Sequence, residues 1–75
     1  MEKLIAVLKE VREDVDFENR KDLIDAGVLD SFDILQIISA LNDEYDISIP
    51  AAEIVPKNFN SAEALLEMVK RLQED

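Results

Sequence analysis

Apolar side chains recur at helical spacing in three stretches of the chain. The first stretch places five of them on one face: Leu4, Ile5, Leu8, Val11 and Val15. Charged residues occupy most of the remaining positions, so the pattern predicts an amphipathic first helix over residues 2–14.

The second stretch begins at Asp30 and Ser31, either of which suits the N-cap position of a helix. Asp33 follows in the first turn, where the helix dipole favours negative charge. The predicted helix runs to Tyr45, because Asp46 breaks the pattern. Its core stripe consists of Ile34, Ile37, Ile38, Leu41 and Tyr45.

The segment after the second helix contains two prolines. Pro50 suits the first position of a short helix over Ala51–Val55, which Pro56 is expected to end. Residues 57–60 are expected to form a turn with Phe59 facing inward.

A last helix is expected to follow, capped by Asn60 with Glu63 completing a capping box, and to end near Gln73. Its core stripe consists of Ala62, Leu65, Leu66, Val69 and Leu72. Together the segments predict a single all-α domain over residues 1–75. It is a small four-helix bundle, with three main helices and one short helix.

Between the first and second helices the helical period is lost, and turn-forming residues such as Asn19 and Gly27 appear. Loops of this length are uncommon in compact domains and are often functional. Apolar residues are expected to hold the loop to the core: Phe17, Leu23, Ile24, Val28 and Leu29.

Four carboxylates in this region faintly follow the spacing of a calcium-binding loop: Asp14, Asp16, Glu18 and Asp25. Asn19 stands where that loop needs glycine, and Arg20 brings a positive charge beside it. We therefore expect no metal site here.

The charge is strongly negative and unevenly placed. Eight basic and 18 acidic residues give a net charge of −10, and no Lys or Arg lies between Asp22 and Pro56. This field argues against nucleic acid and anionic membranes as partners. It suits either simple solubility or docking to basic protein surfaces.

The composition also limits the chemistry. The chain has no histidine and no cysteine, so the commonest general base, thiol nucleophile and metal ligands are missing. The apolar run Leu4–Leu8 is too short to span a membrane, and no basic region precedes it as in a signal peptide. We expect a cytoplasmic, monomeric domain that is not an enzyme.

The side of the second helix opposite its core stripe is unusual. It carries Phe32 and Leu35, two large apolar residues, beside Gln36, Ser39 and Asp43. One interpretation is that Phe32 folds back under the long loop. The other is an apolar anchor with an acidic rim, which is the usual anatomy of a protein-docking patch.

Ser31 lies where the long loop meets the second helix, and from composition and periodicity alone it is most simply an N-cap. The run Gly27–Asp33 (Gly-Val-Leu-Asp-Ser-Phe-Asp), however, resembles the Asp-Ser-Leu/Phe signature of acyl carrier proteins. The resemblance continues through Asp43–Asp46 and Ile47–Pro50, and the helix layout matches that family's four-helix fold.

The resemblance implies that Ser31 carries a covalent 4′-phosphopantetheine arm, attached by a phosphopantetheinyl transferase. The arm's thiol would hold acyl or aminoacyl cargo as a thioester for delivery to loading and transfer enzymes with basic docking surfaces. The residues implied in partner recognition are Asp30, Phe32, Asp33, Leu35, Gln36, Ser39 and Asp43.

The cargo stays open at this point. Gln36, Ser39 and the longer stretch from residue 50 to 59 depart from fatty-acid carriers, and the runs Leu29–Phe32 and Asn58–Ser61 look more like D-alanyl and stand-alone peptidyl carriers. A general acyl carrier of lipid or secondary-metabolite biosynthesis is therefore set beside a D-alanyl carrier for teichoic acid D-alanylation. A less favoured alternative is an unmodified acidic adaptor that binds through Phe32 and Leu35.

Overall fold

The computed structural model describes residues 2–74. Over this range the chain forms four α-helices, one short 3-10 helix and no strand. The elements are α1 (Glu2–Val11), α2 (Ser31–Tyr45), the 3-10 helix (Ala51–Glu53), α3 (Pro56–Phe59) and α4 (Ala62–Gln73). The predicted all-α bundle, with three longer helices and a long connection after the first, is confirmed. None of the helices described is long and apolar enough to cross a membrane.

The core lies where α1, α2 and α4 pack against one another, with α3 against α4. Its helical members are Leu4, Val7, Leu8, Ile37, Leu41, Phe59, Ala62, Leu65, Met68 and Val69. Val7 and Met68 lie outside the predicted stripes. They are buried because α1 and α4 each contact more than one neighbouring helix, which covers a wider face than a single stripe.

The α1 helix ends at Val11, three residues before the predicted end at residue 14. Arg12 still donates its backbone N–H to the Leu8 carbonyl at 3.0 Å, but the chain then turns. Val15 is buried from within this turn, so the apolar period continues in the sequence beyond the end of the helix.

The long connection, residues 12–30, is called the first loop below. Phe17, Leu23 and Leu29 are buried, as predicted, and Ile24 and Val28 pack against the core. Gly27 has a φ of +71°, a conformation in which a side chain is strained, and its N–H reaches the Ile24 carbonyl at 3.0 Å. The glycine therefore permits the turn that leads the chain back to α2.

The prediction for the segment with the two prolines is partly correct. A short helix follows Pro50 and Phe59 is buried as expected, but the short helix is a 3-10 helix that ends at Glu53. Pro56 begins α3 instead of ending a helix, and Pro50 precedes the 3-10 helix as its N-cap. Proline lacks an N–H and holds the preceding residue extended, so Val55 separates the two elements and Pro56 is the first helical residue. The Asn58 side chain, which donates to the Glu53 carbonyl at 2.8 Å, ties them together.

The predicted cap of the last helix is also wrong. Ser61 is the N-cap of α4, and its hydroxyl accepts the Ala64 N–H at 3.1 Å. The Asn60 side-chain oxygen instead accepts the backbone N–H groups of Ile24 at 2.9 Å and Asp25 at 3.1 Å. Asn60 therefore anchors the first loop and is not available to cap.

Candidate functional site

The first turn of α2 is closed by two aspartates. The Asp30 carboxylate accepts the Asp33 N–H at 2.9 Å, and the Asp33 carboxylate accepts the Asp30 N–H at 3.3 Å. This reciprocal pair is a capping box, and it identifies Asp30 as the N-cap of α2. Residues 30–33 are called the serine turn below.

Ser31 is the first helical residue of the serine turn, and it is exposed. Because Asp30 does the capping, the explanation of Ser31 as the N-cap is wrong. Among residues 2–74 no side-chain or backbone group hydrogen-bonds the Ser31 hydroxyl. The Ser31 side chain is therefore exposed, and its hydroxyl is not committed to holding the helix start.

Asp33 faces the interior of the turn instead of solvent. It is only 7% exposed, and Arg12 donates from Nη1 to its Oδ2 at 2.6 Å. Arg12 also donates from Nε and Nη2 to the two carboxylate oxygens of Asp14, each at 3.0 Å. Asp33 is therefore the least accessible of the residues predicted for partner recognition, and its place in that set stays a prediction.

The Arg12 contacts also set the local electrostatics. The hydrogen bonds that Arg12 donates to Asp14 and then to Asp33 raise the pKa of Arg12, and the bond from Arg12 lowers the pKa of Asp14 below its usual value. Arg12 therefore stays charged and offsets the buried carboxylate of the serine turn.

The outer side of α2 is open to solvent. Phe32 is 67% exposed and Leu35 is 65% exposed, so the interpretation in which Phe32 folds under the first loop is wrong. The polar residues predicted beside them are exposed as well, and the helix brings all five to one side: Phe32, Leu35, Gln36, Ser39 and Asp43. These five residues are called the docking face below.

Ile54 is an exposed apolar residue that the sequence reasoning missed. It is 41% exposed and follows the 3-10 helix. It lines an apolar cleft of about 90 Å³ together with Ile24, Ile34, Val55, Pro56 and Phe59. The segment around Ile54 is too short to show a helical period, so the sequence held no signal for its exposure.

Three of the four carboxylates that faintly follow a calcium loop form hydrogen bonds with neighbouring side chains. Asp14 is held by Arg12, Asp16 accepts from the Asn19 amide at 3.0 Å, and Asp25 accepts from the Asn60 amide at 3.2 Å. Each of these carboxylates therefore has a role in shaping the first loop.

Comparisons with known proteins identify a family for the chain. Residues 2–72 match the family described as "Phosphopantetheine attachment site". The D-alanyl carrier protein of Streptococcus sanguinis is 35% identical over 71 residues, which cover 93% of this chain and 90% of that protein. That of Streptococcus uberis is 38% identical over 61 residues, covering 81% and 77%.

A third relative, the D-alanyl carrier protein of Lactobacillus delbrueckii subsp. bulgaricus, is 32% identical over 62 residues, covering 80% of this chain and 78% of that protein. No solved structure matches the chain significantly. The similarity therefore extends over most of both sequences and includes the serine turn.

Proposed function

The chain belongs to the phosphopantetheine attachment site family and takes a covalently attached phosphopantetheine group, and on that premise we propose that Ser31 is the residue that carries it. The observation that carries the proposal is the exposed, unbonded Ser31 hydroxyl at the first position of α2. When bound, the group supplies a terminal thiol that holds the cargo as a thioester.

The serine turn fits such a group on two grounds. Ser31 and Phe32 are exposed, so the attached arm leaves the protein without displacing any packed side chain. The phosphate of the group would lie at a helix N-terminus, where backbone N–H groups favour an anion. Arg12 offsets the nearby charge of Asp33.

Carrier proteins of this family work with a phosphopantetheinyl transferase and with enzymes that load and remove cargo. We propose that those enzymes bind the docking face, with Phe32 and Leu35 as apolar contacts and Asp43 at the acidic rim. Asp30 lies beside the reacting hydroxyl and serves chiefly by capping α2. Small interfaces steered by opposite charge form and dissociate quickly, as a carrier with several partners requires.

For the cargo, we propose D-alanine. All three relatives described above are named D-alanyl carrier proteins, and their similarity covers most of the chain. Of the two carrier functions left open by the sequence, these relatives favour the D-alanyl carrier over the general acyl carrier. The proposed pathway is therefore D-alanylation of teichoic acid in place of lipid or secondary-metabolite biosynthesis.

The attachment site is tested by incubating the protein with a broad-range phosphopantetheinyl transferase and coenzyme A. We expect intact-mass analysis to show the addition of one phosphopantetheine group, and Ser31→Ala to abolish it. Ser61→Ala is the matched control, because Ser61 also stands at a helix start but its hydroxyl is engaged in capping. Modification of the Ser31→Ala protein would refute the site.

The cargo is tested on the modified protein with a D-alanine-adenylating enzyme and ATP. We expect a further mass increase of one alanyl residue with D-alanine, much less with L-alanine, and none with a fatty acid and its ligase. Loading by the fatty acid alone would overturn the cargo proposal. A wild-type protein that is never modified would instead favour the adaptor alternative, in which Leu35→Ala abolishes partner binding and Ser31→Ala has no effect.

A further inference from the structure

Arg12 forms an ion pair with Asp33 of the serine turn. It is the only basic side chain in residues 2–74 that forms an ion pair with any residue of that turn. It comes from the opposite end of the first loop, 21 residues before Asp33. The chain therefore brings a distant cation to the base of the helix that begins at Ser31.

The guanidinium is held from two sides. Nε and Nη2 engage both oxygens of Asp14 at 3.0 Å, which fixes the plane of the group, and Nη1 then meets Asp33 Oδ2 at 2.6 Å. A planar donor fork of this kind suits two carboxylates at once, which the single ammonium of lysine does not match.

The same Asp33 oxygen has a second role. Oδ2 accepts both the Arg12 donor and the Asp30 N–H, so the ion pair and the capping box share one atom. Asp33 is buried, and a buried carboxylate that loses its partner is strongly unfavourable. Loss of Arg12 would therefore be relieved by movement of the Asp33 side chain, which disturbs the backbone on both sides of Ser31.

We propose that Arg12 is a positioning residue for the modification of Ser31. It holds Asp33 in the capping box, and the box holds the Ser31 backbone in the geometry in which the transferase meets the hydroxyl. This inference rests on the proposed function of Ser31 as the attachment site, and it extends that site to a residue at the far end of the first loop.

The test compares Arg12→Gln with Arg20→Gln in the complete chain, using a phosphopantetheinyl transferase and coenzyme A. Arg20→Gln is the matched control because it removes the same charge from the same loop, and among residues 2–74 the Arg20 side chain pairs with neighbouring Asp22 alone. We expect Arg12→Gln to lower kcat about tenfold with KM unchanged, since small displacements of a reacting group have large effects on rate. We expect Arg20→Gln to match the wild type.

Two further measurements separate positioning from a general loss of stability. Amide hydrogen exchange is expected to quicken at residues 31–34 in Arg12→Gln and to stay unchanged in α4. The double variant Arg12→Gln/Asp33→Asn is expected to recover most of the lost kcat, because the amide oxygen of the substituted side chain still accepts the Asp30 N–H and no buried charge is left. If Arg12→Gln fails to fold, Arg12→Lys carries the test, because lysine keeps the charge but lacks the planar fork that holds both carboxylates. We expect Arg12→Lys to be modified several-fold more slowly than Arg20→Lys.

The inference is overturned if Arg12→Gln is modified as fast as Arg20→Gln, or if the double variant is no faster than Arg12→Gln. It is also overturned if Arg12→Lys is modified as fast as Arg20→Lys. Absence of modification in the wild-type protein is a different result, because it contradicts the assignment of Ser31 itself.

Discussion

The chain contains two helix starts with the same kind of sequence and different outcomes. Residues 30–33 read Asp-Ser-Phe-Asp and residues 60–63 read Asn-Ser-Ala-Glu, so each has an Asx residue, a serine, an apolar residue and an acid. At α2 the Asx residue is the N-cap, whereas at α4 the serine is. One serine hydroxyl is consequently uncommitted and the other is engaged.

The difference arises from what the Asx side chain does. Asp30 has its carboxylate directed at the Asp33 N–H, which satisfies one donor of the first turn. Asn60 has its amide directed at Ile24 and Asp25 of the first loop. Because Asn60 is occupied, the helix begins one residue later and Ser61 supplies the cap. The function available to a serine at a helix start is thus set by its preceding neighbour.

The largest effect on stability is expected from Asn60→Ala, which removes the cause of this difference. The backbone N–H groups of Ile24 and Asp25 lose their acceptor, and Asp25 loses the amide donor. We expect the free energy of unfolding to fall by about 2 kcal/mol in urea denaturation. Asn19→Ala is the control, since its amide binds only Asp16 at the surface. Equal effects of the two variants would contradict the anchoring role of Asn60.

A smaller effect is expected from Asp30→Ala, which makes the first helix start resemble the second. Without its cap, α2 is expected to lose about 1.5 kcal/mol, and the Ser31 hydroxyl becomes the nearest group able to cap in its place. Modification of Ser31 is then expected to slow. Asp30→Asn keeps a capping oxygen without the charge and should restore the rate. If Ser31 is modified slowly in Asp30→Asn, the rate depends on the charge of Asp30 and not on its capping.

The two serines themselves give the next comparison. Ser61→Ala removes the acceptor of the Ala64 N–H and is expected to cost about 1 kcal/mol of stability while leaving modification intact. Ser31→Ala removes a hydroxyl without a partner among the described residues and is expected to change stability by less than about 0.5 kcal/mol. Both values come from urea denaturation. A larger loss in Ser31→Ala would mean that its hydroxyl is structurally engaged.

The smallest expected effect is on the rate of transfer, and it comes from charge changes on the exposed sides of α2 and α4. The docking face on α2 carries only negative charge, whereas α4 exposes both signs, Glu63 and Glu67 beside Lys70 and Arg71. We expect Asp43→Lys to slow transfer by the phosphopantetheinyl transferase a few-fold and to weaken its salt dependence. Glu67→Lys makes the same charge change on α4 and should have no effect. A transfer rate independent of salt in the wild type would remove the role of charge in steering.

The parts of the fold that were predicted correctly rest on local signals. The start of α2 follows from Asp30 and Asp33, three residues apart, and its end from Asp46, which adopts a left-handed conformation with a φ of 53°. The error at the start of α4 involves partners far away in the sequence. The Asn60 side chain accepts hydrogen bonds from Ile24 and Asp25, which precede it by 36 and 35 positions. A helix-capping rule considers only neighbours in the sequence and so does not include such partners.

The candidate site also has features that local signals predict and features that depend on distant residues. The exposure of Phe32 and Leu35 follows from helical geometry alone and was predicted as one of two alternatives. The buried Asp33 is paired with Arg12, a charged residue outside the apolar stripe of the predicted first helix. An aspartate in the first turn of a helix is ordinarily exposed. Only the tertiary structure therefore shows that Asp33 is buried and paired with Arg12.

The contacts that shape the first loop have a consequence for folding. Arg12 reaches Asp33 across 21 residues, Asn60 reaches Ile24 across 36, and Lys21 reaches Glu63 across 42. Contacts so distant in sequence form late, after the intervening chain has been brought together. Two of these contacts join the loop to Asn60 and Glu63 at the start of α4, so the loop is expected to acquire its shape only once α4 has docked. A nascent or partly folded chain is therefore expected to be a poor substrate for the modification proposed at Ser31.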